Sequence, residues 1–167
     1  FENLPVEPLG VLGGKLCPGL KSLAVAQDRM HEKQFIEGTG ARVAPWAAIG
    51  TLEDLYAAIT RLGLPLVLKT RRYGYDGKGQ AWIHAVDDAP VAWAAIGEEP
   101  AIAEAGIAFD AEFSLILARS AGGGHAFWDP PLNEHRDGIL RRSTVPAGRL
   151  VQAEAGEGRR SGLAIAG

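Results

Sequence analysis

An apolar run, Leu64 to Leu68, ends on a lysine, Lys69, and after a loop the chain returns through a second run of strand length, Ala81 to His84. Between them lies Lys69-Thr70-Arg71-Arg72-Tyr73-Gly74-Tyr75-Asp76-Gly77-Lys78-Gly79-Gln80, where three glycines alternate with Arg71, Arg72 and Lys78. This stretch constrains the fold more than any other, because two short apolar runs joined by a Gly-rich loop predict a hairpin. Glycine there lets main-chain N–H groups approach an anion with no Cβ in the way, and positive φ aims successive amides at one point. The basic side chains add charge that amides lack. The pattern is neither the GxxxxGK[ST] phosphate loop nor a GxGxxG that opens a helix. On spacing alone, a Gly-rich hairpin with solvated charges fits as well as an anion cradle.

The rest of the chain reads as α+β, with mixed and antiparallel sheets and flanking helices. Residues 1 to 27 hold Pro5, Pro8 and Pro18 among four glycines and predict turns with at most a strand end and a short helix. Asp28 N-caps a helix to about Glu37, which puts Arg29 and Lys33 on one face at i, i+4. Val43 to Trp46 is a short strand, and Thr51 opens a helix with Glu53 and Asp54 in its first turn. Leu52, Leu55, Tyr56, Ile59 and Leu62 form its apolar stripe, and Gly63 ends it. A helix follows from Asp87 to Ile96, with Pro90 near its start. Strands are expected over Ala101–Glu104, Glu112–Ala118, Ala126–Trp128 and Ile139–Val145, then a helix from about Ala147. Trp46, Trp82, Trp93 and Trp128 are expected in the core, and His31, His84 and His125 in structural or exposed positions.

Composition narrows the partners. The 167 residues carry a net charge of −3 with no block of like charges, which argues against nucleic acid or a membrane surface recognised through bulk electrostatics. No apolar run approaches the ~18 residues of a membrane span, and the first residues lack the order of a secretory signal. Cys17, the single cysteine, permits no intramolecular disulfide and gives no zinc signal, so a reducing compartment and a cytoplasmic address are expected. The chain begins at Phe1 and stops at Gly167 inside an Ala-rich stretch, and reads as a piece of something longer.

The hairpin, with its lysine on the first strand, resembles the ATP-grasp superfamily. Within it, the wording from Arg71 to Gln80 is similar to the N5-carboxyaminoimidazole ribonucleotide synthetase family of purine biosynthesis. Other segments agree in order: Phe1-Glu2-Asn3-Leu4-Pro5, Ala26-Gln27-Asp28-Arg29 with Glu32-Lys33, and Ala44-Pro45-Trp46. Glu104-Ala105-Gly106-Ile107, Glu112 and Asn133-Glu134-His135-Arg136-Asp137-Gly138-Ile139 complete the series.

The resemblance implies that residues 1–27 are the tail of an N-terminal nucleotide-fold domain plus a linker. Residues 28–167 would form part of an ATP-grasp domain, with a small lobe over about 43–105 and an incomplete large lobe over about 106–167. A nucleotide pocket between the lobes is implied. Arg29 and Lys69 would contact the ATP phosphates, and Gly74, Tyr75, Asp76, Gly77, Lys78, Gly79 and Gln80 would fold over them. The backbone of Glu104, Ala105, Gly106 and Ile107 would meet the adenine edge, Glu112 the ribose hydroxyls, and His135 would lie near the phosphates. Tyr75, Asp76 and Glu2 are the candidates for touching the aminoimidazole ribonucleotide, with Lys69, Tyr75 and Asp76 as the catalytic set. Arg29 also reads as a helix-surface charge, Glu104 and Glu112 as edge-strand charges, and no acidic partner for Lys69 is evident in sequence.

The implied reaction is ATP-dependent carboxylation. Bicarbonate attacks the γ-phosphate to give carboxyphosphate and ADP, and the exocyclic amine of the ribonucleotide takes the carboxyl group. Mg²⁺ is implied too, with its carboxylate ligands expected in strands beyond Gly167, so no metal ligand is assigned in this chain and the chain alone is expected not to turn over. The resemblance implies a homodimer for the full-length protein. Another ATP-grasp carboxylase or ligase, such as a biotin-dependent carboxylase subunit or a formate-using transformylase, and a non-catalytic nucleotide-binding module are the alternatives.

Overall fold

A computed structural model describes residues 4–73, 79–136 and 138–167. They divide into two compact units: one runs through Glu37 and from Arg42 to Ile107, and the other takes Gly38–Ala41 and Ala108–Gly167.

In the first unit a 3₁₀ stretch, Glu7–Lys15, broken at Gly13, precedes helices α1 (Leu20–Ala26) and α2 (Arg29–Gly38). Strand β1 (Trp46–Ile49), helix α3 (Leu52–Leu62), strands β2 (Leu66–Thr70) and β3 (Gln80–Ile83), helix α4 (Ala89–Ala95) and strand β4 (Ala101–Ala105) follow. The strands form one antiparallel sheet in the order β1-β4-β2-β3. Because strand side chains alternate faces, Ala47, Ile49, Leu66, Leu68, Ile83, Ala101 and Ala103 share one face. They pack with Leu55, Ala58 and Ile59 of α3 and Ala89, Ala92 and Trp93 of α4 in a single core. Each fully buried Leu or Ile there contributes roughly 1.5–3 kcal/mol. The opposite face carries a transverse row, Trp46, Glu104, Val67 and Trp82, and beside it the row Ile102, Lys69 and Gln80.

Helix α3 starts after Thr51, as expected, and a capping box fixes it there. The Asp54 N–H donates to Thr51 Oγ1 at 3.1 Å while Asp54 Oδ2 accepts from the N–H of Thr51 at 3.0 Å. Gly63 at φ +79° ends it. Its buried face uses Ala58 where Tyr56 was expected, and Tyr56 is exposed. Strand β1 begins at Trp46 and not at Val43, since Pro45 has no N–H for a ladder. Strand β2 likewise begins after Pro65 and runs on through Lys69 to Thr70. The expected helix from Asp87 is a 3₁₀ turn, Val86–Asp88, leading into α4. Of the four tryptophans, Trp93 is in the core, whereas Trp82 and Trp128 are exposed.

The second unit holds β5 (Glu112–Phe113), β6 (Leu117–Arg119), β7 (His125–Phe127), β8 (Leu132–Arg136), β9 (Ile139–Thr144) and helix α5 (Arg149–Ala166). β5, β8 and β9 form an antiparallel sheet in the order β5-β8-β9, and β6 pairs with β7. The single strand expected over Glu112–Ala118 is therefore two strands in different sheets, and β8 had not been expected as a strand. Helix α5 buries Val151 and Ala155, and a Cβ on its Gly158 would stand 3.4 Å from the Phe113 ring, so a small residue lets the helix lie close to β5. Among the described residues, no helix is long and apolar enough to cross a membrane.

Candidate functional site

The base of the β2–β3 hairpin is well defined. Lys69 stands opposite Gln80, and the Thr70 N–H donates to the Gly79 carbonyl at 2.9 Å. Gly74, Tyr75, Asp76, Gly77 and Lys78, with Glu2, lie outside the described residues. Arg29, in the first turn of α2, reaches the hairpin: its Nη1 donates to the carbonyls of Thr70 at 3.2 Å and Tyr73 at 2.8 Å. Its backbone N–H donates to the Arg71 carbonyl at 2.9 Å. The arginine is thus fixed at the root of the loop and is more than a helix-surface charge. Tyr73, held by that bond, has φ +63°, a conformation a bulky residue adopts at some cost.

Lys69 has an acidic partner that spacing did not reveal. Glu104 stands on β4, which lies between β1 and β2, so it is no edge-strand charge. Its Oε2 is 2.6 Å from Lys69 Nζ, and its Oε1 is 2.7 Å from Lys33 Nζ on α2. The side chain is only 13% exposed, and burial pushes its pKa up. Hydrogen bonds from Lys33 and Lys69 and their charges outweigh that, leaving the carboxyl below its ordinary range and ionised at neutral pH.

A second buried carboxylate fixes the helix that carries Arg29 and Lys33. Asp28, 2% exposed, accepts from the Met30 N–H at 2.9 Å as the helix cap and from Arg71 Nε at 3.0 Å. Burial raises its pKa, but the Arg71 hydrogen bonds, the Met30 amide and the neighbouring positive charges prevail and lower it. At the other end of α2, Trp46 Nε1 donates to Glu37 Oε1 at 3.0 Å. Asp28, Lys33 and Glu37 therefore tie α2 to the sheet at three points, of which the sequence indicated only the cap.

The segment after Glu104 is held from below. The Ala105 N–H donates to the Pro45 carbonyl and the Gly106 N–H to the Pro65 carbonyl, both at 2.8 Å. A Cβ at Gly106 would lie 3.0 Å from Pro65 Cγ, 3.1 Å from the Pro65 carbonyl oxygen and 3.3 Å from the Trp82 ring, so any side chain here would push its neighbours aside. Ile107 is exposed beyond it.

In the second unit Glu112 and His135, on adjacent strands β5 and β8, come together: His135 Nδ1 is 3.3 Å from Glu112 Oε1. Asn133, unremarked among the candidate site residues, links Glu112 to Ser114 and to Ser143 on β9. Its Nδ2 donates to Ser114 Oγ at 2.7 Å and Glu112 Oε1 at 3.4 Å, and its Oδ1 accepts from Ser143 Oγ at 2.9 Å. Two clefts of about 480 and 240 Å³ in this unit lie elsewhere, against Asp129, Gln152 and Arg159 and against Asp110, Phe113 and Glu154. Among the described residues no group of three or more His, Cys, Asp or Glu is placed to hold a metal ion. The described residues do not furnish a Mg²⁺ cage.

The chain matches the ATP-grasp domain over residues 34–158 and belongs to the ATP-grasp family. It is 44% identical over 160 residues to the N5-carboxyaminoimidazole ribonucleotide synthase of Brucella melitensis, covering 93% of this chain and 44% of that relative. The Pseudomonas aeruginosa synthase is 37% identical over 157 residues, with 93% and 44% covered. Among solved structures, the Thermus thermophilus synthetase superposes with a TM-score of 0.86 at 38% identity, over 98% of this chain and 44% of that one. The Staphylococcus aureus synthetase complexed with ADP does so with a TM-score of 0.88 at 33% identity, over 96% and 44%. The resemblance read in the sequence and the α+β ATP-grasp fold are borne out. The chain spans less than half the length of these relatives.

Proposed function

We propose that the protein carboxylates 5-aminoimidazole ribonucleotide with ATP and bicarbonate, giving N5-carboxyaminoimidazole ribonucleotide, ADP and phosphate. The observation that carries this reading is the 44% identity to the Brucella melitensis synthase over 160 residues, met by a Lys69–Glu104 pair at the root of the hairpin. Phosphoryl transfer is mainly positioning and electrostatic stabilisation. In this reading Lys69 and Arg29 face the ATP phosphates and the 74–80 loop covers them, excluding water from a short-lived carboxyphosphate. The backbone of 104–107 meets the adenine. The Ala105 and Gly106 amides are engaged below by the Pro45 and Pro65 carbonyls, which fixes the segment for that contact. Glu112 accepts from the ribose hydroxyls with His135 beside it, and Tyr75, Asp76 and Glu2 touch the ribonucleotide. A cytoplasmic homodimer using Mg²⁺ goes with the same reading.

The test is phosphate release from ATP with Mg²⁺ and bicarbonate, with and without aminoimidazole ribonucleotide, by the protein carrying this segment at its relatives' full length. Release that depends on the ribonucleotide is expected. Calorimetry that shows ATP binding but no ribonucleotide binding would sink the substrate assignment and point to another ATP-grasp carboxylase or to a nucleotide-binding module.

A further inference from the structure

We infer that Lys33 sets the charge of the nucleotide site: it cancels the Glu104 carboxylate, so that the Lys69 ammonium presents an uncompensated positive charge to a polyphosphate. The inference rests on the proposed role of Lys69. Glu104 gives one oxygen to each lysine, Oε1 to Lys33 at 2.7 Å and Oε2 to Lys69 at 2.6 Å. Two ammonium groups against one carboxylate leave one net positive charge. Without Lys33 the remaining pair would sum to zero, and an arriving anion would meet no net positive charge from it. The exposures assign the roles: the Lys33 side chain is 15% exposed and Lys69 28%, so a ligand arriving from solvent reaches Lys69 more readily. Partly buried charges such as these are screened less than fully exposed ones, so the balance is felt by a ligand. Lys33 is also held where the effect needs it, because Asp28, which caps α2, and Glu37, near its other end, anchor to Arg71 and Trp46. Lys33 is thus a positioning residue that acts through Glu104 and Lys69.

The experiment compares ATP, inorganic tripolyphosphate and adenosine by calorimetry, at low and high salt, on the full-length protein. Lys33→Met should weaken ATP and tripolyphosphate about tenfold, the order expected for loss of one partly screened charge near the site, and flatten the salt dependence. Adenosine binding should not move. Lys33→Arg should restore the affinity. The double variant K33M/E104Q, which leaves no carboxylate to cancel, should bind tripolyphosphate within about threefold of wild type, and it keeps the question answerable if K33M does not fold. Unchanged tripolyphosphate binding in K33M would overturn the inference, as would a loss shared equally by adenosine or a double variant as weak as K33M. Wild-type protein that binds adenosine but neither polyphosphate would instead remove Lys69 from the phosphate site, and the functional reading would fall with it.

Discussion

Glu104 and Asp28 are the residues on which the first unit's polar architecture turns, since each is a nearly buried carboxylate with cationic partners on other elements. Removing one member of such a buried set leaves uncompensated charge and typically costs ~3–5 kcal/mol. Glu104→Ala is therefore expected to lower the urea midpoint sharply while leaving the far-UV spectrum of the folded protein intact. Acid acts through the same groups. Both carboxyls titrate below their ordinary range in the folded state, so the stability they contribute is fully present at neutral pH. It is lost as the pH falls from about 4 through the lowered folded values. Urea midpoints between pH 7 and pH 3 should fall more steeply for wild type than for Glu104→Gln, and parallel slopes would show that Glu104 contributes nothing to acid sensitivity.

Two elements show how a glycine's meaning depends on what surrounds it. At the end of β4, Gly106 lies against Pro65 backbone and side chain and against the Trp82 ring, so Gly106→Ala forces the segment away from its support. A cost of about 1–3 kcal/mol is expected, read as a lowered melting temperature. In α5, Gly156 sits mid-helix with open space where a Cβ would go. Gly156→Ala should raise stability by about 0.5–1 kcal/mol, and a melting temperature below wild type would mean that the helix is constrained by something other than propensity. In sequence the two are alike, each a glycine in an Ala-rich stretch. What separates them is the distance to residues about 40 and 24 positions back from Gly106.

At the scale of the molecule, burial is uneven. Among the described residues the large apolar core cluster lies in the first unit, whereas all six residues of β9 in the second unit are exposed. Amide hydrogen exchange should accordingly be slowest in β2 and β4, which are flanked by strands on both sides, and in α3. β9, paired on one side with β8, should exchange much faster. Protection of β9 equal to that of β4 would contradict this ordering.

The sequence by itself determined what is local. The helix start at Thr51, the stop at Gly63, the pairing of the strands on either side of the Gly-rich loop and the cap at Asp28 are local features, and each was legible before any coordinates, although the capping box that fixes Thr51 was not. The ATP-grasp family was legible in the same way, from ordered motifs spanning the chain. Tertiary structure alone decided which strand lies inside the sheet. Glu104 and Glu112 look equivalent in sequence, yet strand order places the first between β1 and β2 and the second on an outer strand. It also decided that Glu104 is the partner of both Lys33 and Lys69, because pairing across a sheet and under a helix depends on register and docking. Those are properties of residues 71 and 35 positions apart from Glu104, and no spacing rule along the chain encodes them.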